Sequence, residues 1–250
     1  MRIVYFGFDL FADCFRAVVN TKGVEVMALY TFPTDNEFEF NREVVEVARE
    51  HNIPVHYEKI TPEALEEYFD NGCDFTLSAG YIYKIPILNR PEFKGVNIHP
   101  ALLPIGRGAW PYPCTILKGL KKDGVTLHKI EEGFDTGDIL LQGSYRVRRK
   151  ETLDTLTKKS QKLAVNLVKK LLASFSECWD NAEEQGDGEY WSEPTDKDRT
   201  ITSEMSVSDA KHLVRAFGSF GVIFEGEVFK NKTKKYKKVP LKNGQIKLFY

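Results

Sequence analysis

The chain has 250 residues, 42% hydrophobic and 28% charged, with a formal net charge of −1. That make-up suits an ordinary globular protein with one full domain and a small appendage, or two modest domains. It gives no general attraction to nucleic acid or an anionic membrane, and no apolar run approaches the ~18 residues that cross a bilayer. The cysteines, Cys14, Cys73, Cys114 and Cys178, lie far apart with no CxxC pair. This argues against a zinc knuckle or disulfide framework and predicts reduced thiols in a cytoplasmic protein.

The N-terminus "MRIVYFGFDLF" is a strand pattern and not a signal peptide, because its apolar run meets Asp9 early and lacks a small-residue cleavage site. Strand-like and helix-like runs then alternate. "RIVYFGF" (2–8) reads as a buried strand and is followed by a helical "LFADCFRAVVN". "VEVMALYTF" (24–32) is a second strand, and "NREVVEVAREHN" (41–52) carries Val44, Val45, Val47 and Ala48 at helical spacing. "IPVHY" (53–57) is a short strand, and "TPEALEEYF" (61–69) a helix with Thr61 as N-cap and Pro62 at its first position. "FTLSAG" (75–80) and "GVNIHP" (95–100) follow as strands. The rhythm predicts an α/β fold with a mostly parallel, helix-covered sheet.

After Gly119 two strands come in succession, 124–133 and 137–147, then a long amphipathic helix over roughly 152–176 with Leu153, Leu156, Leu163, Leu167 and Leu171 along one side. A polar, turn-rich stretch (181–200) marks a boundary, so the expected division is 1–180 and a small α+β subdomain over 181–250. That last part holds a short helix (206–217), strand-like pieces, and the Lys-rich stretch 230–247, read as the solvated face of an edge hairpin.

In "GVNIHPALLP" (95–104) the spacing of Asn97 and His99 puts both side chains on one face of a strand end, where open α/β sheets bind ligands. Asp135 lies downstream in the Gly-flanked turn "GFDTGD". An amide can donate to an oxyanion, a neutral imidazole can shuttle a proton, and a carboxylate can raise the imidazole pKa. Asn and His at strand ends also serve simply to satisfy loop backbone. His128 in "VTLHKI" is read as structural, and a zinc site on His99 and His128 lacks a third ligand or an HExxH motif. Gly7 alone is no dinucleotide fingerprint.

"NIHPALLP", followed 38 residues after its Asn by the Asp of "DTGDIL", resembles the signature of the folate-dependent formyltransferases over about residues 1–150. The resemblance implies a Rossmann-like formyltransferase fold and 10-formyltetrahydrofolate as formyl donor. It implies catalytic roles for Asn97, His99 and Asp135, with the Asp raising the pKa of the His. It places Tyr81, Ile82 and Tyr83 on one wall of the folate pocket, Glu131, Glu132, Gly133 and Phe134 on the other, and Ala101, Leu102, Leu103 and Pro104 along it. Ala101 departs from the Ser usual in the family, and Ala109 from an Arg of the aminoarabinose-type branch.

The segment "GEYWSEPTDKDRTI" (188–201) is similar to a stretch of the sugar N-formyltransferases. The acceptor is therefore expected to be a nucleotide-linked amino sugar for bacterial surface glycans, touched by Phe8, Asp9, Arg107 and Tyr190. No nucleic-acid, membrane or metal partner is expected, and a homodimer is left open. The alternatives are methionyl-tRNA formyltransferase-like and glycinamide ribonucleotide transformylase-like enzymes, and a non-catalytic folate-binding protein.

Overall fold

The structure, a computed structural model, describes residues 1–34 and 40–250. Its first part runs β1 (Arg2–Gly7), α1 (Ala12–Val19), β2 (Glu25–Tyr30), α2 (Arg42–Glu50), β3 (Val55–His56), α3 (Pro62–Asp70), β4 (Phe75–Ala79) and β5 (Gly95–His99). There follow β6 (Ile105–Arg107), α4 (Pro111–Leu117), β7 (Lys122–Lys129), β8 (Ile139–Arg146), α5 (Leu153–Ala173) and α6 (Phe175–Asp180). The remainder is β9 (Glu189–Tyr190), α7 (Val207–Phe217) and the strands β10 (Val222–Phe224), β11 (Glu227–Phe229), β12 (Tyr236–Leu241) and β13 (Gly244–Phe249).

The central sheet has the order β3-β2-β1-β4-β5-β7-β8. β1 to β5 pair in parallel and β7 and β8 pair antiparallel, so the sheet is mostly parallel as its alternating sequence requires. β1 shows why both faces are covered. Ile3 and Tyr5 pack in the core with α1, α2 and α5, whereas Val4 and Phe6 point the other way into a core with Leu65 and Phe69 of α3.

Local signals hold where they are chemical. Thr61 caps α3 by accepting from the Ala64 amide at 3.2 Å, and Thr152 with Thr155 closes a capping box on α5. The long helix ends at Ala173, and α6 starts after Ser174, so the stretch expected as one helix is two. The C-terminal segment forms two small hairpins and α7, whose apolar side chains share a core with Tyr112 and Ile116 of α4 and with Leu153 and Leu156 of α5. All four cysteines are free thiols, and no helix among the described residues is long and apolar enough to cross a membrane.

Candidate active site

β5 delivers Asn97 and His99 to the carboxyl end of the sheet, and the antiparallel neighbour β7 sets His128 directly opposite Asn97. The turn between β7 and β8 brings Asp135 back over both. Asp135 Oδ1 lies 3.3 Å from Asn97 Nδ2, 3.4 Å from His99 Nδ1 and 3.4 Å from His128 Nε2. Its other oxygen accepts from the Gly108 amide at 2.9 Å. Asp135 adopts φ +57, a left-handed conformation unusual for a non-glycine residue. Two glycines allow the close approach: a Cβ at Gly137 would collide with the Lys129 carbonyl, and one at Gly108, where φ is +120, with the Trp191 carbonyl.

Hydrogen-bond partners assign the tautomers. His99 Nε2 faces the Gly106 carbonyl at 2.7 Å and so must donate, leaving Nδ1 as the nitrogen turned toward Asp135. His128 Nδ1 donates to the Lys129 carbonyl at 2.7 Å, and its Nε2 accepts from Asn97 Nδ2 at 3.1 Å. The Asn97 amide is thereby oriented with its NH2 toward His128 and Asp135.

Burial depresses the pKa of His99 more than the charge of Asp135 and the Gly106 carbonyl raise it, so the imidazole is held neutral. The carboxylate raises the imidazole pKa, the direction expected of it, but the side chain is 5% exposed and desolvation outweighs that lift. Burial pushes Asp135 up, yet the facing imidazoles of His128 and His99 in their protonated forms, with the Gly108 amide, outweigh it and bring the carboxyl to about 2.

The two loops expected to wall a pocket face each other. Lys84 Nζ bridges from the first to the carbonyl and carboxylate of Glu132 in the second, at 3.1 and 3.2 Å. Ile82 and Phe134 stay 59% and 63% exposed on these facing loops, and Tyr81 packs against Phe6 and Tyr83. Phe8 packs against Gly80 and Phe32, next to the first loop. Tyr190, on β9 beside Gly108, is exposed.

Other expected residues have internal partners. Ala101 and Leu103 are buried. The Ala101 carbonyl and Leu103 amide bond Thr126 Oγ1, and the Leu103 carbonyl bonds Gln142. Leu102 and Pro104 keep partial exposure. Asp9, expected to touch substrate, accepts from the amides of Glu43 and Val44 at the start of α2, at 3.1 and 3.0 Å. Burial raises its pKa above the ordinary value against the pull of those amides. Arg107, also expected to touch substrate, donates to Gln185 and to the Gly186 carbonyl.

The polar segment after α6, expected as a boundary, returns to the site. β9 pairs with β6, and Trp191 donates from its amide to the Arg107 carbonyl at 2.7 Å. Sequence reasoning passed over Gln185 there and gave His128 only a structural role. The signal for His128 is its register opposite Asn97, visible once β5 and β7 are paired. A groove of about 700 Å³ between α1 and α5, lined by Arg16, Lys158, Lys162 and Lys169, shares no residue with the polar cluster.

The fold and this cluster define a Rossmann-like α/β protein with an amide, an imidazole and a carboxylate converging where the parallel strands end. The formyl transferase family matches residues 1–172, well over half of the 250, and the chain belongs to that family. The methionyl-tRNA formyltransferase of Prochlorococcus marinus subsp. pastoris is 32% identical over 190 residues, 71% of this chain and 57% of that protein. The chain thus spans somewhat over half the length of that curated relative. An N-formyltransferase from Helicobacter canadensis, solved in complex with folinic acid and dTDP-3-aminofucose, superposes with a TM-score of 0.71 at 19% identity, covering 99% of this chain and 98% of that one. A 4-N formyltransferase from Francisella tularensis superposes at 0.69 with 20% identity, covering 91% and 94%. At these identities the solved structures establish the shared fold.

Proposed function

We propose that this protein transfers a formyl group from 10-formyltetrahydrofolate to the amine of a nucleotide-linked amino sugar. The observation that carries the reading is the convergence of Asn97 and His99 within 3.4 Å of one carboxylate oxygen of Asp135, beside two loops tied by Lys84 and Glu132. The apolar side chains of Ile82 and Phe134, exposed on facing loops whose backbones run alongside, suit a flat ring system with amide-like edges. Tyr81–Tyr83 and Glu131–Phe134 would hold the folate, with Leu102 and Pro104 at the edge. When bound, it supplies an electrophilic formyl carbonyl attached to nitrogen.

The chain's own residues then divide the work. The acceptor amine adds its lone pair to the formyl carbon, and charge develops on the formyl oxygen. Asn97 donates an N–H to that oxygen by releasing its longer bond, the 3.3 Å one to Asp135. Neutral His99 takes the proton of the attacking amine on Nδ1, where Asp135 stabilises the imidazolium. His99 returns the proton to the departing folate nitrogen as its bond to the formyl carbon breaks. The products are the N-formylated amine and tetrahydrofolate, and His99 is neutral again.

The sugar acceptor is supported by the likeness to the sugar N-formyltransferases across 99% of the chain, and by exposed Tyr190 beside Gly108. An aminotransferase acting on a nucleotide-linked keto sugar would supply such a substrate, and a glycosyltransferase would consume the product. A tRNA acceptor is the second reading, favoured by the identity to a methionyl-tRNA formyltransferase and by the lysines of the β12–β13 hairpin. The test is incubation with 10-formyltetrahydrofolate and a panel of nucleotide-linked amino sugars, following release of tetrahydrofolate. Release that depends on both an amino sugar and His99 supports the reading, and a panel without release rejects the acceptor class.

A further inference from the structure

Gln185 commits its whole side-chain amide to the site. Nε2 donates to the carbonyls of Asp135 at 3.1 Å and Gly137 at 2.6 Å, which uses both of its hydrogens. Oε1 accepts from Arg107 Nε at 3.3 Å and Nη2 at 3.0 Å, which uses both of its lone pairs. Arg107 is in turn anchored by the Gly186 carbonyl at 3.1 Å and sits on β6, one residue before the amide that binds Asp135 Oδ2. One amide therefore joins both strands of backbone that fix the Asp135 carboxylate.

The turn it grips needs holding. Asp135 sits at φ +57, and a non-glycine residue in that region keeps its conformation only where the surroundings over-determine it. A shift of the Asp135 backbone would carry the carboxylate away from His99 Nδ1 and Asn97 Nδ2, where it now lies 3.4 and 3.3 Å away. Neither near relative of Gln reproduces this contact: Glu would keep the pairing with Arg107 but set acceptors against two carbonyls, and Asn is one methylene short.

We propose that Gln185 is a positioning residue for formyl transfer, clamping the Asp135–Gly137 turn to Arg107 so that the Asp135 carboxylate stays against His99. The kinetic part of this inference rests on the functional reading above; the effect on His99 does not. Gln185 touches no reacting atom and acts through Asp135.

The test compares the wild type with Gln185→Ala, the near-isosteric neutral Gln185→Met and Asp135→Asn, each with isotope-labelled histidine. The His99 imidazole is titrated by NMR and assigned with a His99→Gln variant. Asp135→Asn lowers the His99 midpoint because the imidazolium loses its anion, and both Gln185 variants shift it in the same direction. In turnover, kcat falls about 10²-fold, the loss expected from a misplaced catalytic group. KM for amine and folate stays within about threefold, and Asp135→Asn/Gln185→Ala is no slower than Asp135→Asn alone. An unmoved His99 midpoint in folded Gln185→Met overturns the proposal, whatever its activity. Wild-type protein that transfers no formyl group to any amine rejects the functional reading, while the titration still decides the role of Gln185.

Discussion

Asn97 and His128 face each other across the antiparallel β5–β7 pair, with Asn97 Nδ2 3.1 Å from His128 Nε2. Because His128 Nδ1 donates to the Lys129 carbonyl, its Nε2 can only accept while the ring is neutral, and this turns the amide nitrogen of Asn97 inward. His128→Ala removes one of the two acceptors that orient the amide. Losing such a supporting partner lowers kcat by about 10–100-fold, with little change in KM for either substrate. Steady-state kinetics on the folded variant check this, and an unchanged kcat would return His128 to a packing role.

Asn97 is assigned the developing negative charge, which exists only on the way to product. Asn97→Ala should therefore slow turnover by about 10²–10³-fold while folate binding, measured by calorimetry, stays close to wild type.

His99 and Asp135 act as one unit. His99→Ala should cost about 10²–10⁴-fold in kcat, and His99→Ala/Asp135→Ala should be little worse, because the carboxylate has no independent share once the imidazole is gone. The pH profile gives the second check. The charge of Asp135 raises the His99 pKa against the stronger pull of burial. In Asp135→Asn that lift disappears, neutral His99 persists to lower pH, and the acidic limb of the kcat profile moves down. Losses that multiply in the double variant, with an unmoved limb, would assign Asp135 to shaping the folate loop instead.

Much of this arrangement is written locally in the sequence. Thr61-Pro62 at the start of α3 and the doubly buried run of β1 act over a few residues, so their signals survive without a structure. The Asn–His spacing is legible for the same reason: strand period alone puts both on one face. The partners of that pair are not local. His128 meets Asn97 only through strand register, and Gln185 reaches Asp135 across 50 residues. A polar segment such as 181–190 carries no periodicity from which such a return could be inferred. The upward pull of Asp135 on His99 is legible because a charge partner can be read from a motif, whereas the larger downward pull of burial is a property of the packed molecule.

Two carboxylates pull the pH dependence of stability in opposite directions. Asp123 is buried, which lifts its carboxyl to about 6 from an ordinary 3.8 despite hydrogen bonds from Thr115 and Gly124. Between those values the folded state holds a proton that the unfolded chain releases, so the contribution of Asp123 to stability rises as pH falls from about 7 towards 4, against His99, whose depressed pKa costs stability as pH falls below about 6.5. The Asp123 shift corresponds to about 3 kcal/mol of penalty at neutral pH. Asp135 behaves oppositely: its folded value of about 2 lies below 3.8, so its contribution is present above about pH 4 and is lost as pH falls towards 2. Asp123→Asn should raise the neutral-pH Tm, and its stability gain over the wild type should shrink between pH 7 and 4. Urea unfolding across pH measures this, and an unchanged slope would show that Asp123 does not set it.

The acceptor is the central claim, and a one-pot competition tests it most directly. Wild-type protein is given 10-formyltetrahydrofolate carrying a ¹³C-labelled formyl group, together with a nucleotide-linked amino sugar, initiator methionyl-tRNA and glycinamide ribonucleotide at equal concentration. Mass spectrometry then locates the label. The account predicts label on the sugar nitrogen, with none there when His99→Ala replaces the wild type. Label on the tRNA or the ribonucleotide, with the amino sugar unmodified, would contradict it.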